Sequence, residues 1–312
     1  MASATWTRRK LLGTAGVAGL ATAGWASSRT ASAGTRTFDL SARARALYTG
    51  ATLASATVQQ SFTFDPENDR LFVAQLKAGS PGVAGDLHVS EVDRRGRLLG
   101  AMVLLGYGHA VSFAAQAFRG GTYLWTEGEA NANGYGTVLK RFAWENGATL
   151  SRDDPRATTF RPVPEALETT CAIDHDAGRM AVRYHTSAGK RIAIFRLADV
   201  AAGGAPDRIA DVAQPPGLGV FQGYALYGSD IYTLDGTAYG DTNPPPGNAY
   251  LSRIDTRTGE LAERVLTHAG ADLVYREPEG MAVGGFGSGA PRLYFGFASG
   301  AAGARRSNLF YL

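Results

Sequence analysis

The sequence predicts an all-β fold, a five-bladed β-propeller whose last blade is closed by an N-terminal strand. Three observations carry that expectation. First, five short segments share one pattern, a polar residue followed by alternating small and apolar ones: Gln60–Phe64, His109–Phe113, Thr169–Ile173, Gln222–Leu226 and Glu279–Val283. Their starts lie 49, 60, 53 and 57 residues apart, a period that suits propeller blades. Second, an apolar strand follows each across a short turn, at Leu71–Gln75, Tyr123–Thr126, Met180–Arg183, Ile231–Leu234 and Leu293–Phe297. Third, the fifth unit runs out of chain one strand short, while an unassigned strand, Arg45–Thr49, precedes the first unit. A six-bladed ring or a two-sheet sandwich is the competing arrangement.

Taken in order, the chain opens on a targeting segment. Thr7–Leu12 resembles the twin-arginine export signal. An apolar Gly/Ala-rich stretch follows, from Leu11 to about Gly24, and Ala31–Ala33 offers a small-x-small cleavage site. Residues 1–33 are therefore expected to be a signal peptide and residues 34–312 a single propeller domain, secreted or associated with the cell wall. The apolar stretch is short for a membrane span. A retained anchor is the alternative; after cleavage no stable membrane insertion is expected.

The first unit turns at Asp65–Asp69 into Leu71–Gln75, continues at Leu87–Val92, and turns at Asp93–Gly96 into Leu98–Leu104. Pro, Asn, Asp and Gly at those turns are hairpin signals. The second unit adds Val138–Trp144 before a turn at Glu145–Gly147. The third carries the one cysteine, Cys171, in an alternating apolar strand, which reads as a small core residue and excludes a disulfide within a monomer. The fourth runs through Ala249–Ile254, the turn Asp255–Gly259, and Leu261–Leu266. The fifth supplies Gly280–Val283, Leu293–Phe297 and Asn308–Leu312, and Arg45–Thr49 is expected to complete it, removing an open sheet edge.

Composition agrees. Hydrophobic residues make up 45%, enough for a packed core, and the 40 glycines suit many tight turns. The chain has 31 basic and 28 acidic residues, but Arg8, Arg9, Lys10 and Arg29 belong to the targeting segment. Without those four the balance turns slightly negative, which argues against a nucleic-acid partner. A monomer is the expected state.

A propeller gathers equivalent positions around its axis. The five inner-strand starts and the ends of the second strands should share one rim. The loops Lys77–Asp86, Gly128–Gly136, Tyr184–Lys190, Gly236–Asn248 and Ala298–Ser307 should emerge there too. The inner strands place Gln60, His109, Thr169, Gln222 and Glu279 on this rim; the second strands place Gln75, Thr126 or Glu127, Arg183 and Asp235. Tyr107, Tyr135, Tyr184 and His185 flank them. Polar groups at strand starts need partners or a ligand. They either satisfy one another as a polar plug or form a binding site at the channel mouth. His109 can act as base, acid or hydrogen-bond donor, and Arg183 offers a planar fork suited to carboxylate or phosphate.

Other patterns are weaker. The histidines show no metal-ligand spacing and there is no paired-cysteine motif, so no cofactor or metal is expected. Gly284–Gly289 is glycine-rich but opens no helix. Ser61 and Ser112 lie in strands and lack a nucleophile elbow.

The runs Val58–Asp65, Leu71–Gln75 and Gly85–Val89, then Gly106–His109 and Tyr123–Glu127, resemble the propeller family shared by phage receptor-binding proteins and the teichoic acid biosynthesis protein C group. The resemblance spans about residues 38–312, carried by the order and spacing of motifs. It implies a five-bladed propeller associated with wall teichoic acid or a similar surface glycopolymer, and it transfers no catalytic residues. The export segment speaks against virion attachment. Two functions follow. One is binding of an anionic cell-envelope glycopolymer through Gln60, Gln75, His109, Glu127, Arg183, Gln222, Asp235 and Glu279. The other is a lyase or phosphodiester-cleaving enzyme on the same polymer class, with His109 as base, Arg183 neutralising the developing charge and Tyr184 donating a proton.

Overall fold

A computed structural model describes residues 37–287 and 289–312. The signal-peptide expectation lies outside the described residues. Strand β1 (Arg45–Ala51) comes first in the chain but belongs to the last blade. The first blade is β2 (Gln59–Asp65), β3 (Arg70–Leu76), β4 (Leu87–Val92) and β5 (Leu98–Leu105), all antiparallel. The second is β6 (Ala114–Phe118), β7 (Gly121–Ala130) and β8 (Gly136–Ala143). Its chain then detours: β9 (Thr149–Ser151) lies parallel on the outer edge of β5, and β10 (Thr158–Phe160) returns to complete the second blade against β8. The third blade is β11 (Glu168–Asp174), β12 (Arg179–Thr186), β13 (Gly189–Arg196) and, after the short helix α1 (Leu197–Ala202), β14 (Arg208–Ala213). The fourth is β15 (Phe221–Tyr227), β16 (Asp230–Asp235), β17 (Tyr250–Asp255) and β18 (Leu261–Leu266). The fifth is β19 (Glu277–Gly284), β20 (Arg292–Ser299) and β21 (Arg306–Tyr311), with β1 as its outer strand.

The expected closure is therefore present: Arg45 pairs with Tyr311 and Ala46 with Phe310, covering the edge of β21. Tyr48 points inward and its hydroxyl meets Ser307 at 3.0 Å.

Strand alternation sends successive side chains to opposite faces of each sheet. The apolar core is accordingly divided into five layers, one between each pair of neighbouring blades. Phe72, Val89, Leu124 and Phe142 fill the first gap. Trp125, Leu139, Cys171 and Met180 fill the second, where burial raises the Cys171 thiol pKa. Ile192, Tyr224 and Ile231 fill the third; Leu234, Leu251, Met281 and Phe295 the fourth. Tyr48, Phe62, Leu71, Val73 and Tyr294 close the ring between the fifth blade and the first.

Two expectations need correction. The inner strand of the second blade is Ala114–Phe118, five residues beyond the expected His109–Phe113. Segment 106–113 is a loop instead. The amides of Tyr107 and Gly108 both donate to the Gly85 carbonyl, the Ala110 amide donates to Glu127, and Ala110 takes a positive φ of 57°. These long-range bonds compete with strand pairing and win. The loop expected over Tyr184–Lys190 is mostly strand: β12 runs to Thr186 and β13 resumes at Gly189.

Candidate functional site

Three inner strands carry a β-bulge at the residue marked by the repeat. Gln60 is the extra residue between the pairs Gln59–Gln75 and Ser61–Ala74. Gln222 is extra between Phe221–Asp235 and Gly223–Leu234. Glu279 and Gly280 are inserted between Pro278–Phe297 and Met281–Phe295. A bulge bends the strand and re-aims a side chain. Glycines let these strands approach backbone to backbone. A Cβ on Gly223 would lie 2.8 Å from the Met281 amide nitrogen, and one on Gly280 only 2.6 Å from the Ser61 Cα. Blades four, five and one thus touch at the axis, and Gln222, Glu279 and Gln60 take neighbouring places around the channel mouth.

All three line a cleft of about 700 Å³, together with His109, Tyr135, Tyr275 and Glu277. They are deeply set: Gln60 is 6% exposed, Gln222 9% and Glu279 5%. Gln222 donates its amide to the Gly236 carbonyl at 3.0 Å, and Gln60 donates more weakly to Gln59 at 3.4 Å. The Glu279 carboxyl has no hydrogen-bond partner among the described residues. Burial, with the Glu277 charge nearby, holds its pKa well above the usual carboxylate range. His109 stacks on Tyr135, ring centroids 5.1 Å apart at 27°, and burial lowers its pKa so that it is neutral at pH 7.

A second cleft of about 540 Å³ adjoins the first and shares Val111, Tyr135, Val220 and Phe221 with it. Arg183, Thr169, Glu127, His185 and Lys190 line it. The Arg183 guanidinium lies over the Phe221 ring, 3.8 Å from the centroid, and its Nε donates to Gln214 at 2.9 Å. Its two terminal nitrogens have no partner among the described residues. Burial lowers its pKa to about 10, which leaves it charged at neutral pH. His185 places Nδ1 2.8 Å from a Glu168 oxygen. Burial first, then the charges of Arg183 and Lys190, outweigh that carboxylate and pull the imidazole down to about 4. The ring is neutral, and its buried Nε2 has no partner among the described residues. Glu127 is fully buried and clamps the loop: it accepts from the Ala110 amide at 2.6 Å and from Gly136. Burial raises its pKa to about 7 against the pull of those amides.

Several rim expectations lie elsewhere. Gln75 is turned away from both clefts, accepting from the Ser55 amide and donating to the Ser55 and Thr57 carbonyls at 2.7–3.0 Å. Asp235 receives a two-pronged bond from Arg264, 2.7 Å to each oxygen, and a third from the Gly219 amide. Tyr184 packs in the core between blades two and three, its hydroxyl on Asp211 at 2.8 Å. Tyr107 is buried in the core between blades one and two, and Thr126 is likewise buried away from the mouth. The sequence reading missed Phe221, Lys190, Glu168, Gln214, Tyr275 and Glu277. Phe221 immediately precedes a repeat position and Glu277 stands two before another, so the repeat itself could have pointed to both.

The comparisons agree with this architecture. A family model, the phage five-bladed β-propeller receptor-binding platform domain, matches residues 58–311. A Bacillus subtilis (strain 168) protein named as a major teichoic acid biosynthesis protein C is 25% identical over 285 residues, 88% of this chain and 63% of its own length. The chain thus spans under two thirds of that relative. The tail fibre of Staphylococcus aureus phage P68 superposes with a TM-score of 0.72 at 16% identity, over 88% of this chain and 54% of the fibre. An exo-β-1,3-galactanase from Clostridium thermocellum reaches 0.50 at 9% identity, over 86% and 62% of the two chains. These two structures share the fold.

Proposed function

The chain belongs to the phage five-bladed β-propeller receptor-binding platform family, and from that premise we propose that it binds an anionic, phosphate-bearing cell-envelope glycopolymer at the channel mouth. One observation carries the reading. Arg183 is held over Phe221 and fixed through Nε, while its terminal nitrogens have no partner among the described residues and its side chain lines a cleft. A pre-positioned guanidinium with free terminal N–H donors suits a phosphate or carboxylate oxygen pair. Lys190 lines the same cleft and adds positive charge. The neighbouring His109–Tyr135 stack offers an apolar face for a sugar ring. The name of the Bacillus subtilis relative, a teichoic acid biosynthesis protein, points to the same class of surface polymer.

The lyase alternative draws less support: Tyr184, its proton donor, is bonded to Asp211 and lines neither cleft. The proposal places the protein outside the cell membrane, supported by the twin-arginine-like Thr7–Leu12 and the Ala31–Ala33 site.

The test is co-sedimentation with purified Gram-positive cell walls before and after extraction of their phosphate polymers. Binding that disappears on extraction supports the proposal. Binding that survives extraction points to another wall component.

A further inference from the structure

We propose that Glu279, with the side-chain carbonyls of Gln60 and Gln222, forms a site for a calcium-class divalent cation at the mouth of the channel. Three structural facts converge. Each of the three residues sits in a β-bulge, on inner strands from three consecutive blades that touch through Gly223 and Gly280. Each is more than nine-tenths buried and lines the same cleft. Both glutamines use their amide nitrogens on backbone carbonyls, which leaves each Oε1 without a donor among the described residues.

These three side chains therefore present oxygen acceptors that no donor among the described residues satisfies. Glu279 supplies the acidic group, which gives up its proton when a cation binds, and no cationic side chain pairs with it among the described residues. Arg305, on the same cleft, lies over Tyr275 at 3.3 Å and donates to the Gly300 carbonyl. Lys77, also on the cleft, reaches Ser80 at 3.4 Å. A buried carboxylate without a partner is costly, and a bound cation removes that cost. Neutral sugar hydroxyls could donate to the amide oxygens but would supply no charge to draw the proton off Glu279. A donor set of carboxylate and amide oxygens, completed by water, matches a hard cation with flexible coordination better than zinc or copper. His109, whose ring is stacked on Tyr135, is not needed as a ligand.

The site goes beyond polymer binding and can be tested without polymer. The chelator-treated full chain is titrated with CaCl2 by calorimetry. Terbium is used in parallel, because Tyr135 and Tyr275 on the cleft wall can sensitise its luminescence. The expected result is one saturable site at or below about 1 mM, the range of extracellular calcium modules, with terbium emission that calcium displaces. Glu279→Gln, which keeps shape and removes charge, should weaken calcium at least tenfold. Gln222→Leu should weaken it several-fold and serves if the first variant folds poorly. Absence of calcium heat and of displaceable terbium emission from the wild-type protein overturns the proposal, as does unchanged affinity in a folded Glu279→Gln. Neither result bears on polymer binding, which is read separately in excess chelator.

Discussion

Arg183 and Phe221 face each other across the gap between the third and fourth blades, guanidinium carbon to ring centroid 3.8 Å. The contact holds a charged side chain against the ring, and the Nε bond to Gln214 fixes its rotation. What remains free is a fork of N–H donors at a cleft wall. An ordinary surface arginine would lose more conformational freedom on binding an anion.

Removing the ring should therefore matter almost as much as blunting the fork. Phe221→Ala is expected to weaken polymer binding by about five- to tenfold, roughly 1 kcal/mol for a lost cation–π contact and preorganisation. Isothermal calorimetry with polymer fragments checks it. An unchanged affinity would remove the stack from the account.

Asp235 provides the opposite control. It lies on the second strand of its blade, as Arg183 does, yet it is fully buried and satisfied by Arg264 and Gly219. Asp235→Ala should lower folding stability by about 3 kcal/mol, because it strands the arginine. Denaturant unfolding would report this, while polymer affinity of the folded fraction stays the same.

Repeat, blades and closure are legible in the sequence. The reason is that inner strands alternate small and apolar residues, and their polar starts mark the bulges at Gln60, Gln222 and Glu279. The offset of the second blade is not legible, because it is set by Glu127 and the Gly85 carbonyl, which lie far from His109 along the chain. The detour of β9 onto the first blade rests on three residues, too few for a periodic signal. The core position of Tyr184 is legible in the sequence as well. Period-two alternation puts it on the face opposite Arg183, toward the core between blades two and three.

Two carboxyls should impose a pH slope on stability. Glu127 has its pKa raised to about 7 and Glu279 is raised as well, in both cases chiefly by burial. A carboxyl with a higher pKa in the folded state stabilises the fold below its unfolded value and loses that contribution as pH rises through the folded one. Stability should fall from pH 5 to pH 8, with Glu127 accounting for about 3 kcal/mol at most. Glu127→Gln and Glu279→Gln should each flatten the dependence of Tm on pH. A variant slope as steep as that of the wild type would assign the effect to other groups. Glu127→Gln should also lower Tm outright, since one of two clamped backbone amides loses its acceptor.

His185 should titrate in the opposite sense. Its pKa is pulled down to about 4, so protonation of the unfolded chain below pH 6.5 draws stability away as pH falls. Imidazole chemical shifts followed by NMR should show His185 neutral at pH 5.5. A midpoint near 6.5 would mean that Glu168 outweighs burial and the Arg183 charge.

Covering the last edge should be essential. Deleting Arg45–Ala51 uncovers β21 and removes Tyr48 from the core between the fifth and first blades. The truncated chain is expected to aggregate, visible as rising light scattering during refolding. A soluble monomer of native Tm would show that the fifth blade is stable with three strands.

The measurement that bears most directly on the whole account is the affinity of the wild-type and Arg183→Ala proteins for a purified phosphate-linked wall polymer, at one fixed salt concentration. The account predicts saturable binding by the wild type and at least tenfold weaker binding by the variant, about 1.4 kcal/mol, with Tm little changed. Equal affinity of the two, or no binding by the folded wild type, would contradict it.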